Sequence, residues 1–252
     1  MKTGKIVALF LLATLIATLP ALAKSGKEEA AEELTQCQEA LTAVAQDPEA
    51  GIPESILEKC EAVVIFANVK KFGLGIGGMQ GYGVMLARDK DRNWSAPAFY
   101  RIRAASTGFQ VGALSMDNVL CIMDRDSVQN FLTKEFTLGA DISIAAGPTK
   151  KSADPASTLD IKTKILTYTK VKKGLYAGVS IEGSRIAYLS DMTRDFYGKP
   201  LQVQDILLEN KEPVPEQAKP LIELLVKFAT PEAAPEKPAA VQATDEKKKS
   251  DK

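Results

Sequence analysis

Glycines recur one to three residues apart in a stretch that otherwise has the pattern of a β-strand. They are Gly73, Gly75, Gly77, Gly78, Gly81 and Gly83, and they follow the apolar segment 62–66. Each glycine in a helix interior costs about 1 kcal/mol relative to alanine, so this density excludes a stable helix. Glycine inside a strand is typical of positions where another backbone or a large side chain lies against it. The run therefore predicts a bent strand in close contact with a second segment.

The first glycines of the run also match the GxGxxG pattern of dinucleotide-binding folds. In those folds the third glycine opens a helix whose N-terminus receives the pyrophosphate. Here Gly81 and Gly83 follow at once, and the apolar residues between the glycines suit a pleated segment. We therefore expect no nucleotide to bind at this motif.

The N-terminal residues have the pattern of a secretory signal. Lys2 and Lys5 precede the apolar stretch 6–19, and Ala-Leu-Ala at 21–23 matches a signal-peptidase site. We expect residues 1–23 to be a signal peptide and the product to be exported, to the periplasm if the cell is Gram-negative. An uncleaved N-terminal anchor is the alternative.

The remainder of the chain divides into a domain and a tail. Residues 229–252 are mainly Ala, Pro, Glu and Lys, a composition that predicts a disordered tail. The segment 24–228 suits one domain with a sizeable core. The chain has 32 basic and 32 acidic residues. This balance argues against a nucleic-acid partner, which requires a basic excess.

The residue types that are missing exclude many forms of catalysis. The chain has no histidine, so Ser-His-Asp and Cys-His arrangements and histidine-ligated metals are ruled out. The three cysteines lack CxxC spacing. Cys37 and Cys60 could form a disulfide if two helices packed side by side, and Cys121 is expected to be buried and inert. We expect no enzyme activity, catalytic residue, metal or cofactor; a hydrolase acting through carboxylates is the less favoured alternative.

The hydrophobic periodicity predicts an α+β fold. Helical spacing covers residues 27–46, with a short second helix over 54–59. Later helices are expected after Asp124 or Asp126, around 206–208 and over 215–228. Strands are expected over 62–66, 73–88, 94–103, 109–114, 117–123, 141–146, 159–171 and 175–181, with a turn at 104–108. This order predicts a mainly antiparallel sheet or partly closed barrel, with N-terminal and C-terminal helices.

Several short motifs resemble a known family when they are read in order. They are the glycine run, Trp-Ser-Ala-Pro at 94–97, Gln-Val-Gly-Ala at 110–113, Leu-Gly-Ala-Asp at 138–141 and Gly-Leu-Tyr-Ala-Gly-Val-Ser-Ile-Glu-Gly at 174–183. The sequence resembles the SYLF domain family, also called the Ysc84 actin-binding domain family, over roughly residues 30–210. The resemblance implies a binding protein: eukaryotic members bind phosphoinositide membranes, and fungal members bind and bundle actin.

The chain departs from the eukaryotic pattern at its first helix. Lipid binding in eukaryotic members is attributed to a basic amphipathic N-terminal segment. Here the corresponding helix carries Glu28, Glu29, Glu32, Glu33 and Glu39. An acidic helix is repelled by an anionic bilayer, because only basic residues gain energy at that surface.

A local basic pattern offers another route to an anionic ligand. The residues concerned are Lys162, Lys164, Lys170 and Lys172, which share one face of a regular strand, and the adjoining Lys173. They predict a surface for an anionic phospholipid or an envelope component; an edge strand protected by lysines is the alternative. The first functional hypothesis is therefore a non-enzymatic, exported protein that binds anionic lipid or the envelope surface. The second is a protein-interaction or scaffold module.

Overall fold

The computed structural model describes residues 25–48, 50–150, 163–173 and 181–230. The predicted signal peptide, residues 231–252 of the tail predicted over 229–252, residues 159–162 of the strand predicted over 159–171 and most of the strand predicted over 175–181 lie outside these ranges; Ala229 belongs to the last helix instead of the tail. Within them, six α-helices surround a six-stranded sheet, which confirms the α+β class. In the described ranges, no helix has the length and apolar character needed to cross a membrane.

The first helix, α1, spans Gly26–Ala45, one residue earlier at each end than predicted. Ser25 begins it with a capping box: its hydroxyl accepts the backbone N–H of Glu28, and the Glu28 carboxylate accepts the N–H of Ser25. The apolar stripe of α1 is buried against the sheet. A second helix, α2, spans Glu54–Lys59 as predicted.

Two long strands form the centre of the fold. Strand β1 (Ala62–Ala87) pairs antiparallel with β2 (Ala98–Ile122) from one end to the other. Strands in globular proteins average about 5–6 residues, so strands of 26 and 25 residues must bend to stay within one domain. The pairing register shifts after Phe66 and after Leu74, and these shifts mark the irregular positions.

The glycines allow β1 to pack across itself. A Cβ atom at Gly83 would lie 2.0 Å from the carbonyl oxygen of Ile65, and one at Gly81 would lie 2.7 Å from a methyl carbon of Val69. The second half of β1 therefore lies directly against its first half. The predicted close contact of the glycine run is confirmed at these two positions.

The turn predicted at 104–108 is wrong. Residues 98–122 form one continuous strand instead of three, and the connection between β1 and β2 lies at residues 88–97. The small residues 104–108 pair with the glycine segment 75–79 of β1. Small side chains thus mark a site of pairing rather than a change of direction.

Two strands pair with the other edge of β2, one after the other along its length. Strand β5 (Ile165–Lys173) pairs with its C-terminal part and β6 (Arg185–Tyr188) with its N-terminal part. Strand β3 (Glu135–Thr137) extends the sheet beyond β6, and β4 (Ile144–Ala146) runs parallel to β5. The sheet is therefore mainly antiparallel, as predicted. The short strands β3 and β6 were not predicted, because three or four residues carry too little periodicity to be recognised.

The sheet is buried on both faces. Val63 and Ile65 of β1 join a core cluster beneath α1, whereas Val64 and Phe66 join a second cluster on the opposite face. This double burial explains why the segment 62–66 is apolar throughout instead of alternating.

The remaining helices cover the two cores. Helix α3 (Arg125–Asn130) is capped by Asp124, whose carboxylate accepts the N–H of Ser127 at 3.0 Å. Helices α4 (Ser190–Tyr197), α5 (Val203–Leu207) and α6 (Lys219–Ala229) follow, with a 3-10 turn at Glu216–Ala218. Helix α4 was not predicted, because its sequence is mostly polar. Helix α6 docks through Leu221 and Leu225, which are fully buried, as expected from its apolar stripe.

The three cysteines are free and buried. The disulfide considered between Cys37 and Cys60 does not form: the Cys37 thiol donates to the carbonyl of Ile65 at 3.3 Å, and that of Cys60 donates to the carbonyl of Leu57 at 3.3 Å. Cys121 is buried as expected. The neighbouring Cys60 thiol and burial together raise the pKa of Cys121 well above its ordinary value, so this thiol is a poor nucleophile.

Candidate functional site

The structure describes three of the five predicted lysine side chains. These three, Lys164, Lys170 and Lys172, are named here the β5 lysine face. Lys162 and the side chain of Lys173 lie outside the described residues. The three lysines lie on the same side of β5 as Leu166 and Tyr168, and these two residues pack beneath α1. The ammonium of Lys170 donates to the carbonyl of Ala43 in α1 at 3.0 Å.

Each lysine of this face lies beside a carboxylate. The nitrogen–oxygen distances are 3.9 Å for Lys164 and Asp124, 3.2 Å for Lys170 and Asp47, and 2.9 Å for Lys172 and Asp117. Asp124 immediately precedes α3, Asp47 follows the end of α1, and Asp117 lies on β2. The positive charge of this face is therefore largely compensated within the protein.

Asp117 differs from the other acidic partners because it is completely buried. One of its oxygens accepts the backbone N–H of Asn68 at 2.9 Å. The other lies 2.9 Å from the Lys172 ammonium, although without a well-directed hydrogen bond. Lys172 also donates to the side-chain oxygen of Asn68 at 3.0 Å. This group has the character of a structural ion pair rather than of an open binding site.

A groove of about 390 Å³ opens between the β1–β2 turn and α6. We name it the Arg88–Trp94 groove. One wall comes from the turn and the other from α6, and its principal residues are Arg88, Arg92, Trp94, Ile222, Glu223 and Val226. Val226 is 52% exposed, so the apolar wall is open to solvent.

The turn is held by hydrogen bonds within it. The carboxylate of Asp89 accepts the backbone N–H groups of Asp91 and Asn93 at 2.8 and 2.9 Å. Arg92 takes a positive φ of 68°, and its guanidinium reaches back to Glu61 at 2.6 Å. These bonds fix the turn rigidly and so fix the positions of Arg88 and Trp94 at its two ends.

Arg88 is a buried cation without an ion-pair partner among the described residues. Its side chain is stacked over the Trp94 ring, with 4.1 Å between the guanidinium carbon and the ring centroid. Its terminal nitrogens donate to the carbonyls of Arg92 and Leu57 at 2.6 and 3.3 Å, while its Nε–H has no acceptor. Burial lowers the pKa of this guanidinium below its ordinary value, but an arginine keeps its proton in a protein.

Trp94 supplies a second donor without an acceptor. Its indole is 6% exposed, and its Nε1–H is buried without a partner among the described residues. Unsatisfied buried donors are rare in native proteins. The Arg88 Nε–H and the Trp94 Nε1–H are both shielded from solvent, so neither faces the open groove.

The described residues offer no arrangement for metal chemistry, since no cluster of three His, Cys, Asp or Glu side chains in these ranges could hold an ion. The arrangement at the groove is suited to recognition: a guanidinium stacked on an indole ring lies beside an aliphatic wall.

The sequence did not reveal this groove. Trp94 stands in the motif at 94–97, but its partners on α6 lie more than a hundred residues later. The apolar residues of α6 gave the only signal: Val226 is exposed, whereas Ile222 also packs against the core.

Residues 103–228 match the Ysc84 family, described as Las17-binding protein actin regulator. The chain belongs to this family, as its motifs indicated. It is 35% identical over 179 residues to Protein YSC84 of Saccharomyces cerevisiae, covering 69% of this chain and 37% of that protein.

Two further relatives are similar over comparable lengths. LAS seventeen-binding protein 3 of Saccharomyces cerevisiae is 36% identical over 169 residues, covering 65% of this chain and 36% of that protein. SH3 domain-containing YSC84-like protein 1 of Homo sapiens is 30% identical over 212 residues, covering 83% and 60%. The chain thus spans little more than a third of the yeast relatives and less than two thirds of the human one.

Proposed function

We propose that this protein is a non-enzymatic interaction module that binds a partner polypeptide in the Arg88–Trp94 groove. The observation that carries the proposal is the exposed aliphatic side chain of Val226 in a groove that Arg88 and Trp94 also line. Interfaces between proteins are enriched in Trp and Arg side chains around an apolar centre, so a polypeptide suits this combination. The yeast relative named LAS seventeen-binding protein 3 supports a protein-binding role.

We further propose that the module acts outside the cytoplasm. The basic start, the apolar stretch 6–19 and the Ala-Leu-Ala at 21–23 support export. In a Gram-negative cell the partner would then be a periplasmic or envelope polypeptide.

Anionic phospholipid or an envelope component is the second candidate ligand. The β5 lysine face supports it, because Lys164 and Lys170 are about half exposed along one side of the strand. The nearby carboxylates weaken this support, since they lower the net positive potential that attracts an anionic surface. The polypeptide is therefore the preferred ligand.

Site-specific photo-crosslinking of the full chain tests the proposal. A photoreactive residue at position 226 should give a discrete adduct that mass spectrometry identifies as one polypeptide, and the purified polypeptide should reproduce the adduct. The same residue at position 171, which is Val171, 38% exposed on β5, is the matched control. Equal crosslinking from both positions would contradict the proposal.

Vesicle flotation separates the two ligands. The full chain is mixed with neutral and with anionic phospholipid vesicles at low and high salt. We expect no salt-sensitive flotation. Flotation with anionic vesicles alone, lost at high salt, would assign the function to lipid instead.

A further inference from the structure

We propose that Cys60 and Cys121 form a disulfide bond when this chain folds in the presence of a disulfide oxidant, and that Cys37 stays a free thiol. The bond would join the residue that follows α2 to the C-terminal part of β2. It does not depend on what the Arg88–Trp94 groove binds, so it goes beyond the proposed function.

The fold brings the two thiols together. Cys121 lies on β2 opposite Val63, and the backbone N–H of Glu61 donates to the carbonyl of Ile122 at 2.8 Å. The residues that directly follow the two cysteines are thus hydrogen-bonded to each other. Both cysteine side chains are fully buried in the core beneath α1, and the Cys60 thiol is in hydrogen-bond contact with the Cys121 thiol. A disulfide forms only between side chains that lie this close and point toward each other.

Cys37 lies in the same core but makes different contacts. Its thiol donates to the carbonyl of Ile65 at 3.3 Å, and its sulfur lies 3.7 Å from a carboxylate oxygen of Glu33. Within the described residues, the sulfur–sulfur contact is the one that joins Cys60 to Cys121. Of the three pairings that three cysteines allow, the fold therefore favours one.

Thiol–disulfide exchange with a small disulfide, such as oxidised glutathione, supplies the chemistry. The thiolate of one cysteine attacks the oxidant and forms a mixed disulfide, which releases one small thiol. The thiolate of the other cysteine attacks the protein sulfur of that mixed disulfide and releases the second small thiol. The protein thus loses two S–H bonds and gains one S–S bond. The oxidant is reduced to two thiols, which take up the two protons.

Burial determines when the exchange takes place. Both thiols are fully buried in the folded chain, so an oxidant reaches them only before the core closes. The contact with Cys60 and burial also raise the pKa of Cys121 well above its ordinary value, which keeps this thiol protonated and unreactive once folded. We therefore expect the bond to form during folding. An exported chain meets this condition, since oxidising compartments supply disulfide oxidants to a chain that is still folding.

The bond would also fix the segment on which the β1–β2 turn rests. The Arg92 guanidinium donates to the carbonyl of Cys60 at 3.3 Å, and the Arg88 guanidinium donates to the carbonyl of Leu57 at 3.3 Å. Joining Cys60 to β2 holds this segment in place. A cross-link between residues 60 and 121 closes a long loop and so restricts the unfolded chain. We expect the oxidised chain to melt about 5–10 °C above the reduced chain.

Peptide mapping of the full chain tests the bond. The purified chain is unfolded and reduced, then refolded with a mixture of reduced and oxidised glutathione, and N-ethylmaleimide blocks the remaining thiols. Trypsin places each cysteine in a different peptide, namely 28–59, 60–70 and 104–125. We expect peptide 60–70 linked to peptide 104–125, and peptide 28–59 carrying the blocking group. Three blocked cysteines, or a bond that includes Cys37, would overturn the proposal.

The unfolded chain is the matched control. Short loops close more readily in an unfolded chain, so oxidation in concentrated urea should favour the Cys37–Cys60 bond over the Cys60–Cys121 bond by about fourfold. Folding should reverse this order, and an unchanged order would contradict the proposal. Cys37→Ser should keep the linked peptides, whereas Cys121→Ser should lose them. If either variant fails to fold, the map of the wild-type chain still decides.

The chain recovered from a Gram-negative cell separates the bond from the proposed export. Its thiols are blocked at lysis and the same digest is made. We expect peptide 60–70 linked to peptide 104–125, as in the refolded chain. The link in the refolded chain together with three blocked cysteines in the cellular chain would support the bond and contradict the proposed export.

Discussion

The β5 lysine face and the Arg88–Trp94 groove are both cationic, but they differ in what neutralises them. Each described lysine of the face lies within 4 Å of a carboxylate. Arg88 is more deeply buried than any of them, and its contacts among the described residues are backbone carbonyls and an aromatic ring. The sequence singles out the lysines because they form a pattern, yet among the described residues it is Arg88 that has no carboxylate at ion-pair distance, although Glu61 and Glu58 act on it from further away. The charge available to a ligand thus depends on which counter-charges the fold brings nearby.

Glu33 provides an acidic counterpart to Arg88. It lies on α1 beside Cys37 and has no ion pair among the described residues. Burial raises the pKa of the Glu33 carboxyl to about 7. A carboxyl in this position can take up a proton and become neutral, whereas the Arg88 guanidinium keeps its charge.

The largest expected effect lies in the buried pair of the lysine face. Lys172→Met should lower the free energy of unfolding by about 3–5 kcal/mol, because it leaves the fully buried Asp117 carboxylate without its cation. Urea denaturation measures this change. Asp117→Asn should cost less, since the remaining ammonium is 30% exposed and can be hydrated. Equal decreases in the free energy of unfolding, or a larger decrease for Asp117→Asn, would contradict the expectation that the buried carboxylate depends on the pair more than the ammonium does.

Arg88→Met should lower the free energy of unfolding by only about 2 kcal/mol. The change removes two hydrogen bonds and the stacking on Trp94, but it also removes a buried charge that has no carboxylate partner. Thermal and urea denaturation measure it. A loss as large as that of Lys172→Met would show that Arg88 is already compensated within the protein, and the distinction between the regions would fail.

The pH dependence at Glu33 should be smaller still. Because its pKa is raised on folding, the native state holds the proton more tightly, and stability falls as pH rises from about 4.5 to about 7. Glu33→Gln lacks this dependence. The difference in free energy of unfolding between the variant and the wild type should therefore shift by about 1 kcal/mol in favour of the variant from pH 4 to pH 8, after allowance for the partial exposure of Glu33. A constant difference across this range, measured by urea denaturation, would show that Glu33 is not perturbed.

The smallest effect is expected at the two exposed lysines. Lys164→Gln and Lys170→Gln should each change stability by no more than about 1 kcal/mol, as half-exposed ion pairs contribute little. The double variant, like the wild type, should show no salt-sensitive flotation with anionic vesicles. Salt-sensitive flotation of the wild type that the double variant lacks would instead support the predicted lipid role of this face.

Much of the fold could be predicted because its signals are local. The periodicity of α1, the capping residue Asp124, the unbroken apolar segment 62–66 and the apolar stripe of α6 depend only on near neighbours in sequence. Missed elements were short or polar, such as β6 and α4. The turn at 104–108 was wrong because small residues look the same whether they reverse the chain or pair with glycines.

The candidate site could not be predicted in the same way. Its two walls come from residues 88–94 and from α6, and no pattern within either segment indicates the other. The lysine pattern was visible, but the carboxylates that compensate it lie just after α1, on β2 and just before α3.

The sequence by itself determined the α+β class, the family, the close packing at the glycines and the absence of histidine chemistry. These depend on residue type and spacing, which act over a few neighbouring residues. Only the tertiary structure decided which charges are paired, because Coulomb interactions and burial depend on distances between segments far apart in the chain. The same reason explains why Arg88, one basic residue among 32, stacks on Trp94 and has no ion pair among the described residues.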